Sequence, residues 1–142
     1  MQSTAKHRAA VLLMALLLWS ELAYAQDRFA FLSACSANAS HVEQRECLEA
    51  KMKRSLAELG EAQRGLMERL RAIDENAEDK NRAIAAAQAD AAAFVSYASK
   101  HCESFAALAF GSNSQQDRRL ACHIELNNLR AQQVTKVALS VP

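Results

Sequence analysis

Two cysteines flank the most abrupt break in the second half of the chain. Cys102 lies nine residues before Gly111, which opens the segment Gly111-Ser112-Asn113-Ser114, and Cys122 lies nine residues beyond Asn113. Apolar residues recur at helical spacing on both sides of this break, so the segment predicts an antiparallel helical hairpin. In such a hairpin Cys102 and Cys122 fall at the same height, where a disulfide would join the two helices.

A long helix is predicted before this hairpin. Residues 26–40 form a short lead-in, and Ser40 with Glu43 has the capping-box pattern of a helix start. Apolar residues then recur at spacings of three and four over about 32 residues, a seam that resembles a coiled-coil heptad. The residues of this seam are Leu48, Met52, Leu56, Leu59, Leu66, Leu70 and Ile73.

Two further helices follow an acidic turn at residues 74–79. The second run, Lys80 to Phe110, is rich in alanine at first and then carries Phe94, Tyr97, Phe105 and Phe110, so we expect the larger part of the core near the cysteines. After a loop at residues 111–116, Ser114 or Asp117 caps a third helix. The pattern predicts an all-α fold, an antiparallel three-helix hairpin assembly with two disulfides at one end.

The first 25 residues have the pattern of a secretory signal peptide. Lys6 and Arg8 precede an uninterrupted apolar run from Ala9 to Trp19, and Ala23-Tyr24-Ala25 supplies small residues at the two positions that a signal peptidase reads. A membrane-spanning helix needs about 20 apolar residues, so this run is too short to remain as an anchor. We expect a mature chain of residues 26–142 that is periplasmic or secreted and has no membrane span.

Cys35 offers an alternative fate for the mature protein. Leu32-Ser33-Ala34-Cys35 has the small-residue pattern of a bacterial lipobox, in which the cysteine is acylated. A lipobox directly follows the hydrophobic region, however, whereas Glu21, Asp27 and Arg28 intervene here. We therefore favour a mature N-terminus at Gln26 over a lipoprotein.

All four cysteines, Cys35, Cys47, Cys102 and Cys122, lie in the exported part of the chain. An even number of cysteines in an oxidising compartment predicts two disulfides. The antiparallel arrangement brings all four cysteines to one end, and the sequence leaves three pairings open. We favour Cys35 with Cys47 and Cys102 with Cys122, because each pair brackets a local reversal of the chain.

The neighbours of two cysteines permit a second interpretation, a zinc site. His101 adjoins Cys102 and His123 adjoins Cys122, and two thiolates with two imidazoles form a zinc ligand set. Adjacent helical residues point about 100° apart, however, and export favours oxidation of the thiols. We therefore predict no metal site and no cofactor. No nucleophile, base and acid form a recognisable pattern in the sequence, so we also predict that the protein is not an enzyme.

The charge balance excludes partners that are recruited by a large net charge on the protein. Lys6, Arg8 and Glu21 belong to the signal peptide, and their removal from the 17 basic and 16 acidic side chains leaves 15 of each sign. Such a chain has no general attraction to nucleic acid. Loops held between cross-linked helices are good places for a binding surface. The candidate partner-binding residues in and beside the loop are Gly111, Ser112, Asn113, Arg118 and Arg119.

The spacing of these residues resembles that of a known family. Two early cysteines twelve residues apart, an aromatic residue eight before a third cysteine, a Gly-Ser turn, and a fourth cysteine followed eight residues later by arginine are similar to the lysozyme inhibitor LprI-like N-terminal domain family. The family usually has tryptophan where Phe94 stands and arginine where Ala98 stands. The residues that carry the resemblance are Cys35, Cys47-Leu48, Phe94, Tyr97, Cys102, Gly111-Ser112, Cys122, Leu126 and Arg130.

The resemblance implies a small helical envelope protein that inhibits lysozyme, or binds another envelope protein, by contact near the disulfide-rich end. A hypothesis of a different class is a structural or assembly protein whose long apolar seam pairs with another helix. A compact monomer in sedimentation would argue against that second hypothesis.

Overall fold

The computed structural model describes residues 30–36, 40–110 and 114–142, and most of them lie in four helices. These helices are α1 (Ala30–Ser36), α2 (His41–Ala72), α3 (Ala77–Ala107) and α4 (Ser114–Ser140). The described residues contain no strand, which confirms the all-α class. The expected signal peptide, residues 1–25, lies outside them. None of the described helices has the length and apolar character needed to cross a bilayer.

The predicted start and length of the long helix α2 are confirmed. The Ser40 hydroxyl accepts from the backbone N–H of Glu43, and the Glu43 carboxylate accepts from the backbone N–H of Ser40 at 2.7 Å. These two bonds satisfy donors that have no partner within the helix. The hydrogen bond from Ser40 lowers the pKa of Glu43. The helix spans 32 residues and ends before Ile73, whose backbone is extended.

The boundaries of α3 and α4 differ from those predicted. Asn76 caps α3 by accepting from the backbone N–H of Asp79 at 2.9 Å, so the helix begins at Ala77 rather than Lys80. It ends at Ala107, and residues 108–110 form a turn instead of a last helical turn. α4 begins at Ser114, so residues 114–116 belong to the helix and not to the predicted loop. Within the predicted lead-in, residues 30–36 are also helical and form α1.

Helix α4 is the centre of the bundle. It runs parallel to α2, because Arg45 contacts Asp117 near the start of both helices and Ser55 contacts Asn127 farther along both helices. It runs antiparallel to α3, because Glu103 pairs with Arg119 while Asp90 pairs with Arg130. α2 and α3 pack against α4 more extensively than against each other. The apolar seam of α2 is thus used within the chain, and Leu48, Leu59 and Leu70 are buried.

The core lies near the cysteines, as predicted, but different residues build it. Cys35, Leu48, Ala121 and Ile124 form its buried cluster, and α1 supplies Phe31 and Leu32 at its edge.

The sequence predicts that Phe94, Tyr97, Phe105 and Phe110 belong to this core, and that prediction is wrong for Tyr97 and Phe110. Phe94 and Phe105 are only half-buried, and the Tyr97 and Phe110 residues are 53% and 88% exposed. The physical reason is that α2 and α3 meet only sparsely, so α3 buries mainly the stripe that faces α4. The small helix α1 takes the place that the aromatic side chains were expected to occupy.

A polar contact between Ser55 and Asn127 is buried between α2 and α4. The amide of Asn127 donates to the hydroxyl of Ser55 at 3.2 Å, and that hydroxyl donates to the carbonyl of Met52 at 2.9 Å. Ser55 and Asn127 are both nearly inaccessible to solvent. A buried amide without an acceptor would be costly, so this contact fixes the parallel register of the two helices.

Candidate functional site

Two disulfides lie at the same end of the bundle, which we call the disulfide pole. Cys35 bonds to Cys47 and joins α1 to α2, with the two Cα atoms 5.7 Å apart. Cys102 bonds to Cys122 and joins α3 to α4. This is the pairing that the sequence analysis favoured. All four sulfur atoms are used in disulfides, so the thiolates of the zinc interpretation do not exist in this state.

A buried carboxylate connects α2 to the start of α4 at this pole. The Asp117 side chain is 3% exposed and accepts from Nε of Arg45 at 2.5 Å. Nε2 of His41 lies 3.2 Å from the other carboxylate oxygen. Asp117 occupies the first turn of α4, where a negative charge is favourable. Asp117 lies inside the helix, three residues after its start, so the prediction that it caps the helix is wrong, and it instead joins the N-termini of α2 and α4.

Arg119, a candidate partner-binding residue, is paired on the surface of the pole. Its guanidinium donates to both carboxylate oxygens of Glu103, from Nε at 2.8 Å and from Nη2 at 3.0 Å, and also to the Gln116 amide oxygen. The hydrogen bonds from Arg119 lower the pKa of Glu103, and the same contact raises the pKa of Arg119. This fork fixes α3 to α4 beside the Cys102–Cys122 bond.

The other predicted loop residues are placed less completely. Arg118, the other arginine among the candidate partner-binding residues, is half-buried. Gly111, Ser112 and Asn113 lie outside the described residues. The structure therefore places two arginines of the predicted surface at the pole and leaves the loop itself as a prediction.

Phe110 is the most exposed large apolar residue among those described. It precedes the loop directly, is 88% exposed, and has a φ of 45°. A positive φ is uncommon for a bulky residue other than glycine and carries a conformational cost. The neighbouring Leu108 is also exposed. The disulfide pole thus presents an aromatic ring to solvent.

Phe94, Tyr97 and Arg130, three of the residues that carry the family resemblance, lie on α3 and α4, and Phe94 and Arg130 meet between these helices. The guanidinium carbon of Arg130 is 5.6 Å from the centre of the Phe94 ring, a cation–π distance, and Arg130 also pairs with Asp90. The third residue, Tyr97, stacks on His101 at a centroid separation of 5.4 Å. The structure therefore brings Phe94 and Arg130 together, whereas Tyr97 contacts a different ring.

His123, next to Cys122 at the disulfide pole, has a lowered pKa. Burial lowers its pKa, and the positive charge of Arg119 lowers it further. Both effects favour the neutral imidazole. His101 and His123, which the zinc interpretation placed together, therefore have separate surroundings, one exposed beside Tyr97 and one half-buried near Arg119.

Two features of the pole were not found from the sequence. Phe110 was assigned to the core because it ended an apolar helical run, although its position next to a Gly-Ser break is typical of a helix that has already ended. The Asp117 contact had a weaker signal. His41 and Arg45 are four residues apart and share one helix face, which can present two donors to one carboxylate.

Comparison with protein families matches residues 34–134 to the family described as Lysozyme inhibitor LprI. The matched range includes both disulfides, all of α2 and α3, and most of α4. Neither the curated proteins nor the solved structures gave a match.

Proposed function

This chain belongs to the lysozyme inhibitor LprI family, and we propose that it is an exported protein that inhibits lysozyme by direct protein–protein contact. The observation that carries the proposal is the family match over residues 34–134. The two disulfides and the membership of this family support an extracytoplasmic location. The apolar run at residues 9–19 and the Ala23-Tyr24-Ala25 segment support export by a signal peptide cleaved before Gln26.

The disulfide pole is the contact surface in this proposal. Three observations support it: two cross-links hold the helix ends, the Asp117 contact joins α2 to α4, and Phe110 projects from the end of α3. A rigid surface loses little conformational entropy on binding, and aromatic and arginine side chains contribute most to protein interfaces. Phe110, Arg118 and Arg119 supply those side chains, and the proposed surface also includes Gly111, Ser112 and Asn113, which follow Phe110 in the sequence.

A cell-lysis assay tests the proposed function. Lysozyme is mixed with increasing amounts of the purified, oxidised protein, and the fall in turbidity of a suspension of susceptible cells is recorded. We expect the initial rate of lysis to fall in a saturable way as the protein is added. An unchanged rate at large molar excess would remove the inhibitor function.

A pair of matched variants tests the proposed surface separately. Phe110→Ala removes the exposed ring at the disulfide pole, and Leu139→Ala removes an apolar side chain that is 67% exposed near the opposite end of α4. We expect Phe110→Ala to weaken inhibition about 5- to 30-fold, which corresponds to 1–2 kcal/mol of binding free energy. Leu139→Ala should inhibit like the unaltered protein. Equal effects of the two variants would contradict the location of the surface.

A further inference from the structure

A cavity of about 260 Å³ lies where α2, α3 and α4 meet, in the half of the bundle away from the disulfide pole. Its apolar wall consists of Leu66, Met67, Ala87, Ala91 and Val134. The alanines explain why the space exists. Large side chains at two successive turns of α3 would fill it, whereas methyl groups leave the gap between the three helices open.

The polar side of the cavity carries more positive than negative charge. Arg71 and Arg130 both line it, and Asp90 is the one carboxylate in the lining. Asp90 pairs with Arg130, but the Asp90 side chain is 62% exposed, so water weakens this attraction. The Nε atom of Arg130 is enclosed by the protein and has no hydrogen-bond partner, so the pair with Asp90, which uses Nη2, leaves this donor of the guanidinium unused. A buried donor of this kind is rare, because it gives up water without a replacement.

We propose that this cavity binds a small organic carboxylate with an aromatic or cyclic apolar body. The apolar body lies against the leucine, methionine, alanine and valine side chains, and the carboxylate lies near the guanidinium groups of Arg130 and Arg71, which line the cavity. This binding site is independent of the proposed inhibition of lysozyme, since it lies on a different part of the bundle and involves other residues.

The size of the cavity sets the size of the ligand. An engineered apolar cavity of about 150 Å³ is large enough to bind benzene, and pockets for drug-sized ligands begin near 300 Å³. A volume of about 260 Å³ therefore suits a single substituted ring and is too small for an extended ligand. Benzoate is the simplest molecule that has both the ring and the carboxylate.

Calorimetric titration of the purified oxidised protein tests the site with three probes that share one ring. These are benzoate, the neutral benzyl alcohol and the cationic benzylammonium. We expect saturable binding of benzoate, weaker binding of benzyl alcohol, and the weakest binding of benzylammonium. Binding of benzylammonium as tight as that of benzoate, or no saturable binding of benzoate, would overturn the proposal.

Substitutions in α3 locate the binding. Ala87→Leu and Ala91→Leu each fill part of the cavity, while Ala89→Leu adds the same side chain at an exposed position outside the lining. We expect each cavity variant to lose benzoate binding at least tenfold and Ala89→Leu to retain it. Circular dichroism and thermal melting establish that each variant is folded. A folded Ala87→Leu and a folded Ala91→Leu that both bind benzoate like the unaltered protein would contradict the site.

A charge variant tests the part played by the arginines. Arg71 is exposed at the edge of the cavity, so Arg71→Gln removes its charge without emptying the core. We expect benzoate to bind about 2- to 5-fold more weakly to this variant, and benzyl alcohol to bind as before. An equal loss for both probes would contradict recognition of the carboxylate.

Discussion

Replacement of Asp117 by asparagine should be among the most destabilising single changes at the disulfide pole. The variant keeps the shape of the side chain but removes its charge, which faces Nε of Arg45 at 2.5 Å and Nε2 of His41 at 3.2 Å. The carboxylate is 3% exposed, so water cannot take the place of either donor. Arg45 would then retain a partly buried positive charge with no counter-charge.

The size of the effect follows from the burial of the two partners. Removal of one member of a fully buried ion pair costs about 3–5 kcal/mol. The Arg45 side chain is 27% exposed and keeps some contact with water, and asparagine still offers one oxygen as an acceptor. Both facts reduce the cost, so we expect Asp117→Asn to lower the free energy of unfolding by about 2 kcal/mol. Asp117→Ala should cost about 3 kcal/mol.

Urea unfolding at neutral pH with both disulfides intact measures these values. Arg45→Gln and the double variant complete a thermodynamic cycle, in which we expect a coupling energy of about 1–3 kcal/mol between the two residues. Glu103→Gln is the control, because it breaks a pair of the same charge types on the surface, and its effect should be much smaller. An Asp117→Asn variant as stable as the Glu103→Gln variant would refute the reasoning.

Three other changes have expected outcomes in the same unfolding experiment. Replacement of Cys102 and Cys122 together by alanine should cost about 3 kcal/mol, because the unfolded chain loses a cross-link. Ser55→Ala should cost about 1–2 kcal/mol, since the buried amide of Asn127 loses its hydroxyl acceptor and keeps only the weak acceptor Sδ of Met52. The pKa of His123 is lowered in the folded protein. The contribution of this residue to the free energy of unfolding is therefore complete above pH 6.5 and is lost as the pH falls through the lowered pKa. His123→Gln should make the free energy of unfolding less sensitive to acid over that range.

The sequence was sufficient for the parts of the fold that depend on local signals. The Ser40–Glu43 capping box sets the start of α2, and the leucines at spacings of three and four include the buried Leu48, Leu59 and Leu70, although Leu56 is 51% exposed. Cys102 and Cys122 lie on either side of a chain reversal, which was enough to favour a disulfide between them. In each case the residues that determine the structure lie close together in the chain.

The rest depends on how the helices pack, which no local pattern records. An amphipathic reading of α3 places its aromatic residues inside, but it does not reveal that α2 and α3 meet only sparsely and leave Tyr97 exposed. The contact between Arg45 and Asp117 spans 72 residues and requires α2 and α4 to be parallel neighbours. The cavity beside Ala87 and Ala91 likewise depends on the distance between helices, which the small side chains permit but do not fix.

The lysis assay with two forms of the same protein is the most direct test of the central claim, that a disulfide-bonded helical pole inhibits lysozyme. One form is oxidised, and the other is fully reduced and alkylated at Cys35, Cys47, Cys102 and Cys122. We expect the oxidised form to slow lysis in proportion to its concentration until the effect saturates, and the alkylated form to have lost most of this effect. Lysis that proceeds at the same rate with and without an excess of the oxidised protein would contradict this claim.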